Sequence, residues 1–382
     1  MTEKLYYADP FLQHFTATVI RCTQEKDYYA VVLDRTCFYP EGGGQPADHG
    51  TLGSAAVTDV QEKEGQLLHY TDRPLTPGDT VEGEIDWQRR FDHMQQHSGE
   101  HIVSGLICST FHCDNVGFHM GSDLVTIDFN HELTLPDIKE IEEKANLYIA
   151  EDHPVEIAYP TPEALAELPY RSKKALNGMV RIVTFPGVDC CACCGTHVSS
   201  SAQVGLVKFL SAQKFRDGSR LTLLCGHRAI SYFDLLLQQN SQISHLLSAK
   251  ADGTAAAVAR MKEEISILHQ QLAQLEAESF ARQADSLRGA GNVLLFREFL
   301  SPDSLRRLMT AVKDACGGRC AVFSGKDPAW QYAIGENGGD LRSLTKELNQ
   351  CFQGRGGGKP DFVQGNLQNA TQKQLEEFFS MH

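Results

Sequence analysis

No stretch of the 382 residues approaches the ~18 apolar residues of a membrane-spanning helix. The opening Met1-Thr-Glu-Lys-Leu-Tyr-Tyr7 lacks a basic start followed by an apolar core, so no secretory signal is expected there. Neither an internal repeat nor a low-complexity segment occurs, which excludes solenoids, collagen-like chains and disordered tracts. Positive charge is also scarce. Lys and Arg total 35 against 49 Asp and Glu, a formal charge of −14, and as an average that argues against a nucleic-acid partner. What remains is an ordinary globular composition, 42% apolar and 22% charged, long enough for two or three domains. With no membrane segment, the expected address is the cytoplasm, where thiols stay reduced.

Twelve cysteines have to be read in that setting. Cys22, Cys37, Cys108, Cys113, Cys225, Cys316, Cys320 and Cys351 are scattered, as small buried hydrophobes would be. The other four crowd into Asp189-Cys-Cys-Ala-Cys-Cys194, which core packing alone would not choose.

The expected class is α+β, in four segments. Residues 1–88 alternate short β-like runs with turns at Gly42-Gly-Gly44, Asp48-His-Gly50 and Pro77-Gly78, as in a small barrel. Residues 89–235 mix helix and strand. The period changes at Asp86, a helix is expected over Trp87–Thr110, and a second over Leu135–Glu151. Residues 236–288 form a helical linker, in which Val258, Met261, Ile265, Leu268, Leu272 and Leu275 step by three and four as a short coiled-coil seam. That seam fits packing within the chain and self-association equally. Residues 289–382 make a further α/β unit, interrupted at Gly354-Arg-Gly-Gly-Gly-Lys-Pro360.

His97 and His101 stand four residues apart on the expected helix, so both imidazoles project from one face. Cys193 and His197 repeat the separation. Three nitrogens and a thiolate suit tetrahedral zinc, one ion per chain. Cys190-x-x-Cys193 and Cys191-x-x-Cys194 offer rival patterns, but no second such pair exists to complete a four-cysteine site. Cys190, Cys191 and Cys194 are therefore expected as neighbours. A closed shell would be structural and an exchangeable water catalytic, and the four residues fit both.

These residues carry a family resemblance. The chain resembles the free-standing alanyl-tRNA editing proteins of the AlaX type in their long form, related to the editing and C-terminal domains of alanyl-tRNA synthetase. Thr36-Cys-Phe-Tyr-Pro-Glu-Gly-Gly-Gly-Gln-Pro46 is similar to the family's glycine motif, and Asp92 to His101 to its HxxxH helix. Phe118-His-Met-Gly121 with Thr126-Ile-Asp128 is similar to the strand pair that follows, and Cys193-Cys-Gly-Thr-His197 to its CGGTH, with Cys194 for the first glycine. These motifs cover roughly residues 1–235. Gly354 to Gln364 resembles the C-terminal domain shared with DHH phosphoesterases. Because the motifs begin by residue 36, no aminoacylation domain is expected upstream.

The resemblance implies a zinc-dependent deacylase that hydrolyses the aminoacyl ester of mischarged tRNA(Ala), chiefly seryl and also glycyl. A pocket for alanine cannot exclude glycine by size, and serine adds only a hydroxyl, so a second hydrolytic site is needed. In that site the resemblance gives Thr36 the reading of the hydroxyl. By position, Glu100 and His119 are candidates for the acid–base role. Gly43, Gly44 and Gln45 could meet the terminal adenosine, or serve only as a tight turn of the barrel. The alternatives are an RNA-binding or assembly module with a structural zinc, and a threonyl-type editing activity. A homodimer could form through the linker helix or the C-terminal domain.

Charge is unevenly spread. Residues 171–228 hold nine basic and two acidic residues and include Cys193 and His197. Lys173, Lys174, Lys214 and Arg216 there, with Arg355 and Lys359 beside a possible glycine nest for phosphate, are the expected tRNA contacts.

Overall fold

The computed structural model describes residues 2–172 and 180–382. Within the first 88 residues, six antiparallel strands close on one another. Their order is His14–Glu25, Tyr28–Leu33, Gln66–Thr71, Ala55–Lys63, Gly50–Leu52 and Thr80–Ile85, the last pairing back with the first. Alternation along these strands gathers Phe15, Val19, Val31, Leu33, Leu52 and Val60 into one buried cluster.

A buried polar chain crosses this cluster. The His69 Nδ1–H donates to the Val31 carbonyl at 3.1 Å, so the ring's Nε2 is an acceptor and takes the Thr36 hydroxyl proton at 2.8 Å. Burial pushes the His69 imidazole down to about 4. Below the unfolded value of ~6.5 the unfolded chain gains a proton that the folded chain refuses. Stability is therefore expected to fall by about 3 kcal/mol between pH 6.5 and 4. Urea unfolding across that range checks it, and His69→Gln should flatten the dependence.

The long helix Trp87–Phe111 follows. The Asp86 carboxylate accepts the Arg89 amide at its start, and His112 turns left-handed at its end. Residues 93 to 105 are buried without a break. Met94, Ile102, Val103 and Ile107 pack on Val125, Ile127, Phe129, Leu221 and Leu223. The last five belong to a four-stranded antiparallel sheet ordered Val207–Phe215, Gly218–Cys225, Val125–Phe129, Asn115–Met120. The helix also lies against a three-stranded sheet, Glu156–Ala158, Ile182–Phe185 and Asp189–Ala192. Gly105 permits that approach, since a Cβ there would lie 2.4 Å from the Val188 carbonyl oxygen.

The chain divides into two compact units, Met1–Gln239 and Asn240–His382. The first contains the barrel and the α+β region together, and the boundary falls inside the helix Gly226–Leu247. Two helices, Gly226–Leu247 and Thr254–Ser286, run through the segment expected as a helical linker, with Asp252-Gly253 between them. The seam residues Val258 to Leu275 are exposed on the second. No helix among the described residues is long and apolar enough to cross a membrane.

In the second unit a five-stranded sheet runs Gly291–Arg297, Gly317–Lys326, Ala329–Gly335, Phe362–Leu367, Arg355–Lys359. This corrects the expectation of a glycine nest. Gly356 to Gly358 are an extended edge strand paired with Phe362–Leu367, whereas a nest needs successive amides turned inward. Glycine composition signals a turn, but the partner strand decides.

Candidate metal centre

The helix, the strand Asp189–Ala192 and the turn after it bring four potential ligands together. One donor atom each from His97, His101, Cys193 and His197 lies within 4.8 Å of the others. The Cys193 Sγ is 3.5 Å from His97 Nε2 and 3.3 Å from His197 Nε2. Behind the cluster, each imidazole is held by its other nitrogen. His97 Nδ1 meets the Gln45 Oε1 at 2.8 Å, His101 Nδ1 meets the Asp189 Oδ2 at 2.8 Å, and His197 Nδ1 meets the Ser98 Oγ at 3.1 Å. An acceptor at Nδ1 fixes the proton there and turns the Nε2 lone pair inward. This donor set fits a metal ion.

The electrostatics agree. Burial would raise the Cys193 thiol, but the three imidazoles around it hold it well below the ordinary thiol range. Burial would lower His101, yet the Cys193 thiolate and the Asp189 carboxylate raise it to about 10. Burial pushes His197 down to about 3. Arg171 bonds both Asp189 oxygens, at 2.7 and 2.8 Å. Burial alone would raise Asp189, but its bonds to His101 and Arg171 lower it. Cys191 forms a second group with His101 and Asp189. Its thiol is pushed far up by burial, against the opposite shift of Cys193.

The departure in the cysteine motif has a physical explanation. Cys194 is exposed, so a side chain fits where the family has its first glycine. Gly195 has no such room, because a Cβ would lie 2.1 Å from the His97 ring. Arg181 braces the same turn by donating to the Cys193 and Gly195 carbonyls at 2.8 and 3.0 Å.

The other expected site residues are placed as follows. Gln45 is fully buried, and its amide is committed to His97, to the Thr196 hydroxyl at 2.8 Å and to the Thr196 amide at 3.2 Å. Gln45 thus holds the His97 ring from behind. Gly44 approaches Phe118, from which a Cβ would stand 2.6 Å, and Phe118 stacks on the His97 ring at 5.2 Å. Gly43 has open space around it. Thr36 is buried, accepts from the Phe38 amide at 3.1 Å and gives its proton to His69. Its hydroxyl hydrogen is therefore committed to His69, and its oxygen can only accept from a further donor.

Glu100 lies at the cluster. Its Oε1 accepts from Ser104 at 2.8 Å and from Asn115 at 2.6 Å, and its Oε2 is 3.9 Å from His101 Nε2. His119 is exposed, and strand alternation puts it on the face opposite Phe118 and Met120, away from the core that holds His97.

Most of the described basic residues around Cys193 have acidic partners. Lys208 pairs with Glu142, Lys214 with Glu132, Arg220 with Asp128 and Arg228 with Asp92. All four acids come from outside the segment, so counting charge along the chain overstates the field. Lys173 and Lys174 lie outside the described residues. Arg216 has no ion pair among the described residues and sits by the Phe215 ring at 5.1 Å. Arg355 and Lys359 are exposed on the edge strand.

Missed at the sequence level were Asp189, Ser98, Arg171 and Arg181, which hold or brace the ligands. An acid opening the cysteine run was the one signal for Asp189.

Residues 6–89 match the family described as tRNA synthetases class II (A), and residues 180–221 match the threonyl and alanyl tRNA synthetase second additional domain. Among curated proteins, alanyl-tRNA editing protein AlaX-L of Pyrococcus horikoshii is 36% identical over 62% of this chain and 61% of its own length. Alanyl-tRNA editing protein Aarsd1 of Bos taurus is 30% identical over 74% of this chain and 68% of its own. Alanine–tRNA ligase of Pyrococcus abyssi is 30% identical over 97% of this chain, which spans 42% of that ligase. The chain belongs to the alanyl-tRNA editing protein family.

Proposed function

We propose that this chain is a trans-editing hydrolase that removes serine, and glycine as a second substrate, from mischarged tRNA(Ala), using one zinc ion held by His97, His101, Cys193 and His197. The observation that carries the reading is the inward convergence of four donor atoms, each imidazole locked from behind, in a chain of this family. When bound, the metal would polarise the ester carbonyl or lower the pKa of a water. Glu100, anchored through one oxygen by Ser104 and Asn115, is the group proposed to take or return a proton at the other. The remaining lone pair of Thr36 would accept from a serine hydroxyl, which an alanine methyl cannot offer. Gly43 would let the terminal ribose approach the backbone. Lys173, Lys174, Lys214, Arg216, Arg355 and Lys359 are proposed phosphate contacts. The exposed seam of Thr254–Ser286 supports a homodimer.

The test is a deacylation panel of Ser-tRNA(Ala), Ala-tRNA(Ala) and Ser-tRNA(Thr), with wild type and His97→Ala. Preferential loss of serine from tRNA(Ala), abolished in His97→Ala, is expected. No deacylation by zinc-loaded protein would leave the RNA-binding module with a structural metal. Hydrolysis of Ser-tRNA(Thr) in preference would point to threonyl-type editing. Thr36→Val should narrow the seryl-to-alanyl ratio by roughly tenfold at unchanged zinc content.

A further inference from the structure

A cavity lies in the first unit, about one turn of helix before the candidate metal ligands. It is about 720 Å³, and its walls include Trp87, Arg89, Phe91, His93, Ser122 and His227. His93 stands four residues before His97 on the same helix stripe, ~6 Å along the axis.

His93 is 2% exposed, and its Nδ1 has no hydrogen-bond partner among the described residues. Burial, with Arg89, Arg228 and Arg90 nearby, pushes its imidazole down to about 3, so the ring is neutral and offers one donor and one acceptor. A buried polar atom without a partner is costly, and a bound ligand would satisfy it. The other groups have matching chemistry. Trp87 and Phe91 lie 5.6 Å apart with planes tilted by 34°, an aromatic wall. Arg89 donates its Nε to the Ala47 carbonyl at 3.0 Å, and its terminal nitrogens have no hydrogen-bond partner among the described residues. Asp92, the acid on this wall, is neutralised by Arg228 at 2.6 Å. Asp86 caps the helix.

Aromatic faces, a cation and a buried imidazole edge together suit a nucleobase with its phosphate. We propose that this cavity binds a nucleotide of the tRNA 3′ end, its base against Trp87 and Phe91, its edge on His93 and its phosphate on Arg89. The source of the nucleotide rests on the editing reading. The closeness of His93 to His97 supplies the reach, since a base seated there keeps its ribose ester near the metal ligands.

The chain has two tryptophans, and the other, Trp330, is in the second unit. In Trp330→Phe protein, AMP should quench Trp87 emission saturably, half-maximally at roughly 1 mM or below. Ribose 5-phosphate should not quench. Arg89→Gln, with circular dichroism confirming its fold, should weaken AMP by roughly tenfold. AMP should inhibit deacylation of Ser-tRNA(Ala) competitively. Absence of saturable quenching, an equal response to ribose 5-phosphate, or unchanged affinity in Arg89→Gln would overturn the site. Non-competitive inhibition would overturn the tRNA end as occupant in favour of a free nucleotide. Quenching by AMP beside a failed deacylation panel would leave the cavity standing and remove the editing reading. A successful panel without quenching would remove the cavity alone.

Discussion

Cys193→Ser is expected to empty the metal centre and lower deacylation of Ser-tRNA(Ala) by roughly 1000-fold. A positioned metal contributes several kcal/mol to a hydrolytic transition state, and each 1.36 kcal/mol is tenfold in rate. The thiolate is the one anionic ligand among the four, and the three imidazoles around it hold its proton off. A serine hydroxyl in its place stays protonated and binds zinc weakly. Metal analysis of the purified variant should show loss of zinc, and circular dichroism should show the fold retained. Cys194→Gly is the control: the side chain is exposed, and zinc and activity should be unchanged. The sign of the pH effect also follows. His101, raised to about 10 beside the thiolate, must shed its proton before its Nε2 can ligate. Zinc affinity should therefore rise by about tenfold per pH unit from 6 to 8, measured by competition with a chelator.

Arg90→Met should have the largest effect on stability, about 3–5 kcal/mol. Arg90 and Asp48 are both fully buried. The guanidinium bonds both Asp48 oxygens, the Cys37 carbonyl at 2.6 Å and the Pro10 carbonyl at 2.9 Å. Asp48 also accepts the Tyr39 amide at 2.6 Å. The pair thus ties the barrel to the start of the metal-bearing helix. Removing the arginine alone strands a carboxylate in an apolar setting, which costs more than the pair itself contributes. Arg90→Met with Asp48→Leu should recover a large part of the loss. Urea unfolding followed by Trp87 emission in a Trp330→Phe background checks both.

Local signals carried much of this structure. The long helix begins at Trp87 as expected, because Asp86 is an N-cap and the apolar spacing switches there. The two pairs of candidate metal ligands were legible because the members of each stand four residues apart. Their supports were not, since Gln45, Asp189 and Ser98 lie 52, 88 and 99 positions from the histidines they hold. Only the assembled sheet brings Asp189 to the helix. The same blindness produced the overstated basic face, as Glu132 and Glu142 are remote in sequence from the lysines they neutralise. The edge strand Arg355–Lys359 was misread because three glycines carry no side-chain period for a strand to show.

The bond between Gln45 and Thr196 closes a loop of 151 residues. During synthesis, the histidine helix emerges almost a hundred residues before the cysteine and the third histidine that complete its ligand set. At that stage His97 already has the Gln45 carboxamide in the chain behind it, but His101 lacks the Asp189 carboxylate, and two imidazoles are a poor trap for any metal. Until residue 197 is clear of the exit tunnel a ribosome-bound chain therefore holds an incomplete donor set, and any nascent product cut short before that point carries the barrel without it.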